Sequence, residues 1–130
     1  MKSRTLLITS ALTALLAVAF GAFGAHGLKG QLSEADLAIY RTAVDYHMWH
    51  ALGLGLIGLV AERHPGSRVL RWAGSAMVIG LLLFCGSLYA LSLSGLRWLG
   101  MITPLGGLSF MAGWGLMALA LFRVPPPQQS

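Results

Sequence analysis

Four long apolar runs, joined by short polar connections, constrain this chain more than any other feature. The first, TLLITSALTALLAVAFGAFGA, covers Thr5 to Ala25, and the second extends from about Ala43 to Ala61. A third runs from about Val69 to Leu91, and LGMITPLGGLSFMAGWGLMALALF spans Leu99 to Phe122. Each approaches the ~20 residues that a helix needs to cross a ~30 Å hydrocarbon core. Only 10% of the 130 residues are charged and 56% are hydrophobic, with a mean hydropathy of +0.73. Soluble domains carry about 25% charged residues. A chain this apolar cannot cover itself with a polar surface, so lipid is its expected solvent. The expected fold is all-α: a compact four-helix transmembrane bundle forming one integral membrane domain over residues 1–124. PPPQQS cannot continue the last helix, so 125–130 is expected to be a short flexible cytoplasmic tail.

Basic residues orient the spans. Lys2, Arg4, Arg63, Arg68, Arg71 and Arg123 fall on the side of the termini, whereas Lys29, Arg41 and Arg97 fall on the other, beside Glu34, Asp36 and Asp45. The positive-inside bias places both termini in the cytoplasm of a bacterial inner membrane. The net charge of +5 is therefore a topology signal. The basic residues form no stripe with interleaved aromatics, so nucleic acid is not an expected partner. The opening 25 residues also have the basic start, apolar centre and small-residue end of a secretory leader, whose cleavage would leave three spans. Their apolar run exceeds the usual ~7–15 residues of a leader core, which favours a retained first span. The single Cys85 cannot form an internal disulfide.

The one sizeable connection, HGLKGQLSEADLAIYRTAVDYHMW, starts a helix of its own. Ser33 is placed to cap it, Asp36 to reciprocate, and Leu32 and Leu37 to staple it. Leu37, Tyr40, Val44, His47, Met48 and Ala51 then follow at helical spacing. A short extracytoplasmic interfacial helix between spans 1 and 2 is expected, leading into the second span.

Antiparallel spans bring the unusual residues to one level. His26 ends the first span, Asp45, His47 and His50 begin the second, Ser87 and Tyr89 end the third, and Thr103 opens the fourth. Ionisable groups in lipid are costly and pair inside a bundle or lie at headgroup level. These seven residues are the candidate polar site. His47 and His50 are three apart and can share a helix face. With His26 or Asp45 they have the residue types of a metal site, or of a proton relay. Hydrogen bonding between helices or towards headgroups is the simpler reading, and neither a metal site nor any cofactor is expected. Tyr40, Tyr46, Trp49, Tyr89 and Trp98 are expected to anchor the outer boundary, and Trp72 the inner one.

Small residues mark expected helix contacts. Gly21 and Ala25, Ala51 and Gly55, and the series Gly106, Gly107, Ser109 and Gly113 thin three helix faces, which lets helices approach closely. Pro104, about one turn into the fourth run, is expected to kink it beside the polar layer. The glycine-rich stretches lack the lysine of a phosphate loop, and no catalytic triad can be assigned from spacing, so no catalytic residue is expected.

GAFGAHGL at 21–28, TAVDYHMWHALGLGL at 42–56, FCGSLYALSLSG at 84–95 and ITPLGGLSFMAGW at 102–114 together resemble the small membrane family called domain of unknown function 423. That family is similar to the eukaryotic transmembrane protein 256. The resemblance covers roughly positions 5 to 123 and matches His26, His47, His50, Gly86, Ser87, Leu88, Tyr89, Thr103, Pro104, Gly106 and Gly107. It implies a four-span integral membrane protein and carries over no reaction or substrate.

Three function classes compete. The first is a non-enzymatic structural or accessory membrane component that self-associates or joins a larger membrane complex, with lipids as its other partners. The second is a small-solute or proton-coupled transporter working through the outer histidines, although no inverted repeat is evident. The third is a haem- or quinone-associated redox subunit. The compact, glycine-rich chain, with little material outside the membrane, favours the first.

Overall fold

The computed structural model describes residues 1–125; the expected tail from 126 onward lies outside the described residues. The described chain is all-helical. Helix α1 covers Ser3–His26 and α2 covers Glu34–Arg63. Helix α3 runs over Arg68–Ser94 with one π-helical turn, Leu81–Cys85, inside it. A 3-10 segment, Arg97–Met101, then leads into α4, Thr103–Arg123. Three helical segments, Ser3–His26, Arg68–Ser94 and Arg97–Arg123, are long and apolar enough to cross a membrane.

Local chemistry explains these ends. Ser33 caps α2 by accepting from the Asp36 N–H at 3.1 Å, and Ser67 caps α3 from the Leu70 N–H at 3.3 Å. Gly95 terminates α3 in the left-handed region at φ 72°, a conformation glycine adopts without a Cβ penalty. Helix α2 is unbroken for 30 residues, or about 45 Å at ~1.5 Å per residue. The segment expected to form an interfacial helix is its continuous amino-terminal portion.

Pro104 departs from its expected role. It lies in the first turn of α4, where its missing N–H has no intrahelical partner to lose. It starts the helix and does not kink it. The irregular turn of the bundle is instead the π-helical one in α3, an insertion of the kind that tends to accompany specialised sites in helices.

The helices pack as two antiparallel hairpins. In the first, Tyr40 lies against Gly24, Val44 against Gly21, and Ser10 against Gly55. In the second, Met77 meets Gly113, Phe110 meets Gly80, and Phe84 meets Gly106. Helix α2 joins the hairpins, with Leu54, Ile57, Leu70, Met77 and Phe110 in the shared core. Serine hydroxyls donate to backbone carbonyls across both hairpins: Ser10 Oγ to Ala51 O at 2.7 Å, and Ser109 Oγ to Ala76 O at 2.7 Å.

Close approach is strictest at Gly106, where an added Cβ would run into the backbone of Phe84. Gly106→Ala is therefore expected to destabilise the bundle by about 1–3 kcal/mol, the usual cost of overpacking. Gly115→Ala, with open space around it, should stay within about 0.5 kcal/mol of the parent. Loss of helical signal in mixed dodecyl sulfate micelles measures both; equal midpoints for the two variants would refute the ranking.

Candidate functional site

The polar residues at the level of the α2 entrance separate into two groups. His47 and His50 are buried, whereas Asp45 and His26 are exposed. Asp45 lines a shallow groove of about 120 Å³ between α1 and α2, together with Gly21, Gly24 and Tyr40. It does not join the histidines. Neither does His26, at the exposed last turn of α1.

The two histidines face different neighbours. His47 Nδ1 is 2.9 Å from the Tyr89 hydroxyl, linking α2 to α3. The Phe20 ring of α1 packs edge-on against Tyr89, with centroids 5.0 Å apart, and lies 6.0 Å from the His47 ring. His50 turns towards α4: its ring stacks on Phe110 at a centroid separation of 3.5 Å and meets Trp114 edge-on at 6.0 Å. Its Nδ1 is 2.8 Å from the Tyr46 carbonyl in the preceding turn. That contact needs an N–H on Nδ1, because a carbonyl only accepts. Positions three apart are offset around a helix, and here the offset puts one ring in each interhelical seam.

Ser87 and Thr103 form a third contact. Their hydroxyls are 2.6 Å apart, and Ser87 Oγ also donates to the Phe84 carbonyl at 3.0 Å. This pair ties the segment following the π-helical turn to the start of α4. Its position explains why Thr103 and Pro104 occur together: one residue bridges to α3 while the other begins the helix.

Aromatic residues expected as boundary anchors divide by type. Trp49, Trp72 and Trp98 are exposed. The tyrosines turn inward. Tyr40 donates from its hydroxyl to the Phe20 carbonyl at 2.6 Å, and Tyr46 stacks on Phe84 at 4.4 Å. Phe20, Tyr46, Phe84 and Phe110 thus belong to the layer although none was singled out from sequence as part of a site. The spacing of Tyr46 one turn before His50 was the available signal; the phenylalanines gave none beyond their hydrophobicity. At the same end of the bundle, Arg97 pairs with Asp36 at 3.1 Å, closing the 3-10 segment onto the start of α2.

The remaining small residues have mixed surroundings. Ala51 is fully buried, and Gly21, Gly55, Gly106 and Gly113 face neighbouring helices closely. Gly107 has only ordinary contact with the Phe84 ring, and Ala25 is exposed, its neighbour Gly24 making the contact with Tyr40. Cys85 is buried near Tyr89, inside the bundle. Among the described residues no three His, Cys, Asp or Glu side chains converge as a metal-ligand set. What the layer supplies is a set of hydrogen bonds and ring stacks between helices.

The family model for "Protein of unknown function (DUF423)" matches residues 20–107. The chain belongs to the DUF423 family. Among its relatives, the UPF0382 membrane protein YwdK of Bacillus subtilis is 44% identical over 92% of this chain and 98% of its own length. The UPF0382 inner membrane protein YgdD of Escherichia coli K12 is 39% identical over 95% of this chain and 94% of its own. No solved structure matches the chain. This DUF423 member is an integral membrane protein, and the family match, residues 20–107, includes His47, His50, Ser87, Tyr89 and Thr103.

Coupling between His47 and Tyr89 can be measured by a double-mutant cycle with His47→Ala and Tyr89→Phe. Hydrogen bonds between membrane helices contribute about 0.6 kcal/mol on average and up to about 1.7; the buried ring contacts favour the upper part of that range. Asp45→Asn should change stability by less than about 0.5 kcal/mol. A coupling energy indistinguishable from zero would show that the 2.9 Å contact carries no net stability.

Proposed function

We propose that this protein is a four-span inner-membrane component with both termini in the cytoplasm, acting as a structural or accessory subunit that self-associates. In this reading residues 1–124 form one membrane domain, and the polar layer of the outer leaflet locks the helices together. The observation that carries the reading is that the buried polar side chains of the layer meet one another or the backbone: His47 with Tyr89, His50 with Tyr46, and Ser87 with Thr103. A layer whose side chains meet one another or the backbone in this way stabilises a fold.

Two further features support it. Helix α2, with Asp36, Arg41 and Asp45 in its first half, is the fourth crossing, since the flanking helices require a return through the bilayer and its polar side chains are paired or directed outward. Helix α1 packs mainly on α2 and leaves Ile8, Leu12, Leu15 and Leu16 exposed. That apolar strip contacts lipid or a second copy. The inner-membrane description of the E. coli relative supports the location, and the six basic residues on the side of the termini support the orientation.

Native mass spectrometry from mild detergent tests self-association: a homogeneous oligomer is expected, and a uniform monomer with no copurifying subunit would refute it. Thiol labelling tests the topology. In a Cys85→Ser background, Gly66→Cys is expected to react only after the inner membrane is permeabilised, and Gly30→Cys in intact spheroplasts. The reverse pattern would invert the orientation. His50→Ala should lower the yield of the assembled protein at least severalfold more than His64→Ala, because His50 is packed between helices; equal yields would sink that ranking.

A further inference from the structure

The end of the bundle away from the histidine layer holds a second constellation. A cleft of about 420 Å³ lies there, with Lys2, Ser3, His64, Ser67 and Arg71 as the polar part of a lining completed by apolar residues, and it falls within the size range of small-molecule sites, about 300–1,000 Å³. Its polar lining comes from three separate segments: the start of α1, the α2–α3 connection and the first turn of α3. Lys2 and Arg71, far apart in the chain, both contribute cationic side chains to the lining, and both are exposed. The one carboxylate in this part of the sequence, Glu62, is not among the lining residues.

The lining is rich in donors. An ammonium and a guanidinium have no acceptor capacity, and Arg is suited to bidentate recognition of phosphate. Ser67 Oγ accepts from the Leu70 N–H, which leaves its own proton to donate. Ser3, on the wall, opens α1, where no side chain caps the first amides and no acidic residue occupies the first turn. Beside Arg71, Trp72 is 60% exposed, the behaviour of a ring at the level where lipid headgroups begin. Cation, hydroxyl and membrane boundary thus meet in one concave place.

We propose that this cleft binds a phosphate group, carried by the headgroup of an anionic phospholipid. A soluble phosphorylated compound has the same chemistry, and the test separates the two sources. The inference is independent of which side of the membrane the termini occupy.

The full-length protein, reconstituted in nanodiscs of mixed phosphatidylglycerol and phosphatidylcholine, is released for native mass spectrometry. The parent is expected to retain phosphatidylglycerol in preference to phosphatidylcholine. Lys2→Gln and Arg71→Gln should each lower that retention about fivefold, the effect of removing one basic contact near an anionic surface. Arg63→Gln and Arg123→Gln, at the same end but outside the lining, should leave it unchanged. Helical signal and melting behaviour equal to the parent establish that all four exposed substitutions fold. In discs of phosphatidylcholine alone, added glycerol 1-phosphate that binds with the same dependence on Arg71 assigns the cleft to a soluble phosphate. Retained phosphatidylglycerol without such binding assigns it to lipid, and both outcomes uphold phosphate recognition. Equal retention of the two lipids, equal loss in Arg63→Gln, or no binding of either phosphate probe would overturn the proposal.

Discussion

Close approach of helix backbones is the constraint on which this structure depends. Inside a bilayer, apolar side chains gain little by leaving lipid for protein, so helices associate through dense contact and hydrogen bonds. Here Gly24, Gly55, Gly106 and Gly113 each lie against a side chain or backbone of the next helix. The proximity then lets hydroxyls reach across: Ser10 to the Ala51 carbonyl, Tyr40 to that of Phe20 and Ser109 to that of Ala76. Side chains at the glycine positions would separate the helices and lengthen those bonds, so packing and hydrogen bonding fail together.

The histidine layer follows from the same constraint. His47 and His50 occupy neighbouring seams of α2, one filled by Phe20 and Tyr89, the other by Phe110 and Trp114. A buried imidazole needs a partner, and each has one. The π-helical turn belongs to this arrangement: Phe84 within it stacks on Tyr46 and contacts Gly106, and Ser87 just beyond it reaches Thr103. The donor-rich cleft at the other end is different in kind, because its cationic side chains remain open to whatever occupies the membrane boundary.

Much of the architecture was legible in composition and spacing. Four apolar runs preceded four helices, Ser33 capped the predicted start, and small residues marked several close contacts. Particular residues were misread where a local rule has two structural outcomes. Pro104 both breaks helices and starts them, and only its neighbours decide which. Tyrosine suits a membrane boundary, but Tyr40 and Tyr46 found partners in the bundle, as Tyr89 did within the expected polar site. The π-helical turn has no sequence signature in LLLFC, since it arises from how α3 meets α2 and α4.

The sequence by itself determined the helical class, the membrane environment, the family and the level at which polar residues gather, because hydrophobic run length and residue order act locally along the chain. Only the tertiary structure decided that His47 joins Tyr89, that His50 lies on Phe110, and that Asp45 and His26 stand apart from both. It also placed Lys2 and Arg71, separated in sequence by two helices, on the lining of one cleft. Those pairings depend on the rotation and separation of packed helices, which side-chain volumes set collectively and no single motif encodes.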